Sequence, residues 1–174
     1  MSAPVPPRER AVESFRGDYG FLSNFHQGDP IPLVGLPADC FLEEAPTAEH
    51  LFQALKSNDW TVRLYVLAAP TPGEAKRRGR AVALRGDWEA VKARVMLGVV
   101  RAKFAPEGRL TAKLIATGEA HLMEGNTWGD TTWGCVWHPQ RGWVGQNLLG
   151  EILGHVRTER RFACTLPNRW EGGT

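Results

Sequence analysis

Thr47-Ala48-Glu49-His50-Leu51-Phe52-Gln53-Ala54-Leu55-Lys56 is where the pattern of this chain turns helical. At about 100° per residue, Glu49, Gln53 and Lys56 fall within roughly 60° of one another, while Leu51, Phe52 and Leu55 cover the other side. Thr47, after Pro46, is a good N-cap. Glu49 then stands in the first turn, where the helix dipole favours a carboxylate. One stripe carries a carboxylate, an amide and an ammonium, and the other carries a core face. Such a stripe is either a solvated helix face or one wall of a polar site, and its surroundings have to decide between them.

Downstream, the periodicity predicts further helices over 60–69 and 72–79, the second introduced by Pro70-Thr71-Pro72. Asp87 is the expected cap of a long helix from Trp88 to about Phe104, in which Trp88, Val91, Val95, Val99 and Ala102 recur at three- to four-residue spacing. Pro106 ends it. A helix over 107–116 should turn Leu110, Leu114 and Ile115 inward, and a last one should run from Gly145 or Gln146 to about Arg160.

Strand signals are short. Ser14 to Phe25 has aromatic residues broken by two glycines, which predicts two short extended pieces around a turn. Ile31-Pro32-Leu33-Val34 and Cys40-Phe41-Leu42-Glu43 read as a small hairpin with an edge strand, and 120–124 as another strand. From Gly125 to Val144 there is little periodicity, yet four of the seven tryptophans lie there, too many for a flexible linker. The reading is an α+β, predominantly helical single domain with a few short strands over 14–161. Residues 1–13 are expected to be a disordered tail, and 162–174 a C-terminal tail.

At 174 residues, 43% hydrophobic, 23% charged and net +2, the chain fits one core. No apolar run approaches the roughly 20 residues of a membrane span, and the N-terminus lacks a secretory apolar segment, so a cytoplasmic protein without membrane partners is expected. Cys40, Cys135 and Cys164 form no C-x-x-C pair, and the five histidines show no HExxH spacing. Neither a metal site nor a cofactor is expected. Lys76-Arg77-Arg78-Gly79-Arg80 is a dense basic cluster, read equally well as a solvated helix end or a phosphate site.

A second group of chemical residues lies in Gly129-Asp130-Thr131-Thr132-Trp133-Gly134, followed by Gly145-Gln146-Asn147-Leu148-Leu149-Gly150. An acid among glycines and tryptophans can approach a ligand closely, or it can merely organise a turn. The second run would open a helix and aim its amides and Asn147 at an anion.

Taken in order, Tyr19-Gly20-Phe21-Leu22-Ser23-Asn24-Phe25, Thr47-x-Glu49-His50-x-Phe52-Gln53-x-x-Lys56, Gly79-Arg80, Trp88 with Lys92 and Met96, Lys103-Phe104, Asp130-x-x-Trp133-Gly134 and Gly145-x-Asn147-x-Leu149-Gly150 resemble the NADAR, or YbiA-like, family. The resemblance runs from about Ser14 to Arg157. It implies an N-glycosidase of ribosylated compounds: some members hydrolyse early riboflavin-pathway intermediates, and some remove ADP-ribose from guanine bases. The chain departs from the pattern in Cys135 to Trp143, where many relatives are shorter and richer in glycine, and at Gly154, where an apolar residue is common.

Breaking a ribosyl C1′–N bond builds positive charge on the sugar and negative charge on the departing base. Glu49 and Asp130 are the expected carboxylates, with the division between them open. Lys56 either attacks C1′ as a neutral amine or holds phosphate as a cation, and a plain surface lysine is the alternative. Seven helical residues set Glu49 and Lys56 about 10 Å apart along the axis. Trp88 and Trp133 are candidates to stack on a base, although Trp88 is read equally well as a core residue. Asn24, Gln53 and Asn147 are candidate amide ligands, and Arg16 and Arg80 candidate phosphate ligands. The expected substrate is a ribosyl phosphate or an ADP-ribosylated compound, ADP-ribosylated DNA included. A module that binds an ADP-ribose-type ligand without cleaving it is the alternative.

Overall fold

The computed structural model describes residues 11–33 and 43–165. Among these residues are six α-helices, one 3-10 helix and seven short strands in three small sheets, so the α+β, mostly helical architecture stands. No helix among them is long and apolar enough to cross a membrane.

Helix α1 (Ala48–Ala54) is central, packed against α2 (Trp60–Leu67), α3 (Pro72–Ala81) and α4 (Trp88–Lys103). Thr47 caps α1 by accepting from the His50 N–H. The His50 ring also bonds the Thr47 hydroxyl at 2.8 Å and the Ala69 carbonyl at 3.0 Å, which ties α1 to the end of α2. Asp59 caps α2 and Thr71 caps α3, with Pro72 in the first turn. The expected cap at Asp87 does not form. Its carboxylate is spent on Arg85 at 2.5 Å, and α4 begins without a side-chain cap.

Helices α5 (Arg109–Ala116) and α6 (Leu148–Thr165) complete the core, where Met96, Val99, Val100, Phe104, Leu114, Leu149, Leu153 and Val156 are almost wholly shielded from solvent. Ile115 is only half-buried, and Thr111 takes an inward place beside Leu110 and Leu114. Helix α6 continues through residues expected in the C-terminal tail, to Thr165.

The strands correct more of the expectations. Order reaches back to Ala11, because β1 (Ala11–Val12) pairs in parallel with β4 (His121–Leu122) and buries Val12, so the loose tail expected over 1–13 is ordered at its end. The two extended pieces expected between Ser14 and Phe25 are replaced by the 3-10 helix Gly17–Leu22, which turns Phe21 and Leu22 into the core. Strand β2 (Ile31–Pro32) pairs with β3 (Glu44–Ala45), so the hairpin partner lies later than expected, and Val34 and Cys40–Leu42 fall outside the described residues. The tryptophan-rich loop folds as a sheet of β5 (Gly125–Asn126), β6 (Cys135–His138) and β7 (Gly142–Val144), with Trp137 opposite Trp143. Strands of two to four residues leave almost no period to read.

Candidate active site

Every residue of α1 is buried, so its polar stripe is not a solvated face. Glu49, 5% exposed, accepts a 2.8 Å bond from the Gln53 amide nitrogen, and its own backbone N–H donates to the Asn24 carbonyl at 3.0 Å. Both residues border a cavity of about 1030 Å³. Lys56 also borders it, one residue beyond the Leu55 C-cap, donating to the Gly79 carbonyl at 3.3 Å with its ammonium 6.0 Å from the Trp88 ring centre.

Burial pushes the Glu49 carboxyl above its ordinary range, against the Gln53 bond and the charges of Lys76, Lys56 and Arg80. Desolvation therefore outweighs all of these opposing interactions. Lys56 is pushed down by burial, with Glu49 opposing and Arg80 and Lys76 adding to the fall. A carboxyl and an amine thus face one cavity, each biased toward its neutral form.

Asp130 lies on the loop after β5 and borders the same cavity. Its Oδ1 accepts from the Thr132 and Trp133 amides at 3.0 and 2.9 Å, so it organises the turn as well. Its backbone is held by Asn126, whose side chain bonds both the Asp130 N–H and carbonyl. Phe52 bridges the two walls, packing 5.3 Å from Trp88 and edge-on 5.2 Å from Trp133. Trp88 is therefore both the first core residue of α4 and part of the cavity lining.

Asn24 is buried at the cavity, donates to the Met96 sulfur at 3.4 Å, and leaves its Oδ1 without a partner. The Gln53 Oε1 is likewise buried and unpartnered. Both acceptor atoms are shielded from solvent, and the Gln53 Oε1 lies against Gly79 on α3. Arg16 and Arg80 are exposed residues of the rim, joined there by Lys76.

Asn147, a candidate ligand in the sequence, is not among the residues that border the cavity. Its Nδ2 donates to the Leu122 carbonyl at 2.8 Å, its Oδ1 accepts from the Glu124 N–H at 3.0 Å, and it adopts φ 52°. Both ends of its amide are thereby engaged by backbone. Among the charged cavity residues, Lys76, Glu89 and Glu124 were not singled out in the sequence. Lys76 was hidden inside the basic cluster. The only signal at Glu124 was an acid beside Gly125, between an apolar strand and the tryptophan-rich run.

The NADAR domain model matches residues 13–161. The chain belongs to the NADAR family. It is 38% identical to the N-glycosidase YbiA of Escherichia coli strain K12 over 144 residues, 82% of each chain. It is 33% identical to a riboflavin biosynthesis protein of Vibrio vulnificus over 82% of this chain and 36% of that one. The NMR structure of E. coli YbiA superposes with a TM-score of 0.75 at 32% identity, covering 95% of this chain and 94% of that one.

Proposed function

We propose that this chain is a cytoplasmic, metal-independent N-glycosidase that hydrolyses the C1′–N bond of phosphorylated ribosyl compounds. The observation that carries this reading is one cavity bordered by Glu49, Asp130 and Lys56, with the cations Arg16, Lys76 and Arg80 at its rim. Carboxyl groups beside C1′ stabilise an oxocarbenium-like transition state or activate water, and guanidinium groups fit phosphate oxygens. The amide side chains of Asn24 and Gln53 belong to the cavity lining and suit ribose hydroxyls. Trp88 and Trp133 offer faces to the departing base.

Lys56 acts as the nucleophile that attacks C1′, a role favoured by the burial that lowers its basicity. The candidate substrates are ADP-ribosylated guanine, in nucleotides or DNA, and the ribosylaminopyrimidine phosphates of flavin synthesis. The names of the curated relatives support the reaction class and the flavin connection. Purified protein incubated with each compound should release the free base, detected by chromatography, at a rate unchanged by a metal chelator. Folded protein with no turnover on either class overturns the reading.

A further inference from the structure

Four carboxyl residues border the cavity: Glu49, Glu89, Glu124 and Asp130. Three have partners. Glu49 is bonded by Gln53, Asp130 by two backbone amides, and Glu89 by Lys92. The Glu124 carboxyl has no hydrogen bond or ion pair with any described residue.

Its main chain, by contrast, is fixed on both sides. The Glu124 N–H donates to Asn147 Oδ1, and its carbonyl accepts from the Cys135 N–H at 2.9 Å. The flanking Met123 and Gly125 amides donate to the carbonyls of Val12 and Glu13, at 2.8 and 3.1 Å. Gly134 presses so close that a Cβ there would lie 2.2 Å from the Glu124 carbonyl oxygen. The fold thus invests a strand pair, an asparagine and a glycine in placing a side chain whose carboxyl is left free for something in the cavity.

We infer that Glu124 is the acid of the glycosidase reaction, the group that hands a proton to the departing base nitrogen. This inference rests on the N-glycosidase reading above. As the C1′–N bond breaks, its electron pair leaves with the base nitrogen, which takes the Glu124 proton. Lys56 takes the place of the base on C1′, and water then displaces the Lys56 amine, its oxygen ending on C1′ and its proton returning to the Glu124 carboxylate. The net change is addition of H to the base and OH to the sugar, and the acid is restored.

The surrounding charges fit that task. Burial and then the negative charges of Asp130, on the loop after β5, and Glu49, on α1, push the Glu124 carboxyl up to about 7. Lys76 on α3 and Lys103 on α4 pull the other way. An acid that still holds its proton near neutral pH is suited to donate it.

The test is kcat against pH for the native protein, Glu124→Gln and Glu124→Asp, with Glu49→Gln as the control for the reaction itself. Native kcat/KM, read in the same series because it reports the free protein, should fall on the basic side with a midpoint near 7. Glu124→Gln should lose about 10²–10⁴-fold in kcat at pH 6, keep KM within about threefold, and show no basic limb. Glu124→Asp should keep a limb at a shifted midpoint and an intermediate rate. A folded Glu124→Gln that keeps both the limb and more than about a tenth of the rate overturns the inference alone. Should that variant not fold, a limb unmoved in Glu124→Asp overturns it equally. Native protein inactive on every substrate defeats the glycosidase reading and the acid role together.

Discussion

The cavity has two walls built on different principles. One is helix α1, where Glu49 and Gln53 stand four residues apart and bond each other directly, side chain to side chain. The other is the 122–147 segment, where Asn126 and Asn147 bond backbone groups as far away as Leu122, and the chemical residues Glu124 and Asp130 ride on that closure. On the first wall a local period sets the chemistry, whereas on the second it is set by contacts between residues that share no period. Substitutions on the first wall should therefore strike the reaction, and those on the second should strike stability and reaction together.

The largest effect is expected at Glu49. Glu49→Gln keeps the shape and the bond to Gln53 while removing the carboxyl, so kcat/KM should fall by about 10²–10⁴-fold with little change in melting temperature. A fall in melting temperature of more than a few degrees would mean that this wall is as structural as the other. Lys56→Arg comes next, keeping a cation but removing any accessible free amine. Activity should drop roughly a hundredfold or more, the scale on which one positioned transition-state partner is felt. Borohydride added during turnover should trap a sugar adduct on Lys56 in the native protein, read by peptide mass spectrometry. Absence of the adduct, with activity kept in Lys56→Arg, would return Lys56 to a phosphate-holding role.

The α1 wall was legible in the sequence because 3.6-residue spacing, a threonine cap and a core face all agree there. The long helix α4 was legible for the same reason, apart from Asp87, which chose Arg85 over the helix amides. The second wall was not. Strands of two residues carry no alternation, and the partner of β4 is β1, some hundred residues earlier. Asn147 had the composition of a ligand, but its role follows from which backbone groups come near it, and that is a property of the closed fold. Glu124 was missed because a single acid beside a glycine is commonplace, and only burial among other carboxyls distinguishes it.

Asn147→Ala tests the second wall. It strands the Leu122 carbonyl and the Glu124 N–H, and places a β-carbon residue with less tolerance for positive φ at 52°. A loss of about 2–4 kcal/mol in urea denaturation is expected, with reduced kcat as Glu124 loosens. Asn147→Gly, which accepts the backbone angle, should recover part of the stability and little of the rate. Equal stability of the two variants would assign the whole cost to the lost bonds.

Gly79→Ala probes the back of the first wall. A Cβ there would lie 2.2 Å from the unpartnered Gln53 Oε1 and 2.7 Å from the Gln53 Cβ, so Gln53 has to shift away from α3. Overpacking of this kind costs about 1–3 kcal/mol, offset by roughly 1 kcal/mol from replacing a helical glycine. The net destabilisation should be about 0–2 kcal/mol, and KM should rise as Gln53 loses its place beside Glu49. Unchanged KM would remove Gln53 from the sugar site.

The smallest effect belongs to the rim. Arg80 is exposed and pays little for burial, so its attraction for phosphate is screened by salt. Arg80→Ala should raise KM about tenfold with kcat within about twofold, because a group holding the far end of the substrate binds ground and transition states alike. A dephosphorylated substrate should be indifferent to the change. If both substrates lose equally, the rim cations act on the cavity carboxyls, not on phosphate. The salt dependence separates the substrate classes further. A substrate embedded in DNA touches several rim cations at once, so its kcat/KM should fall steeply with ionic strength, whereas a free ribosyl phosphate should show a shallow slope that Arg80→Ala largely removes.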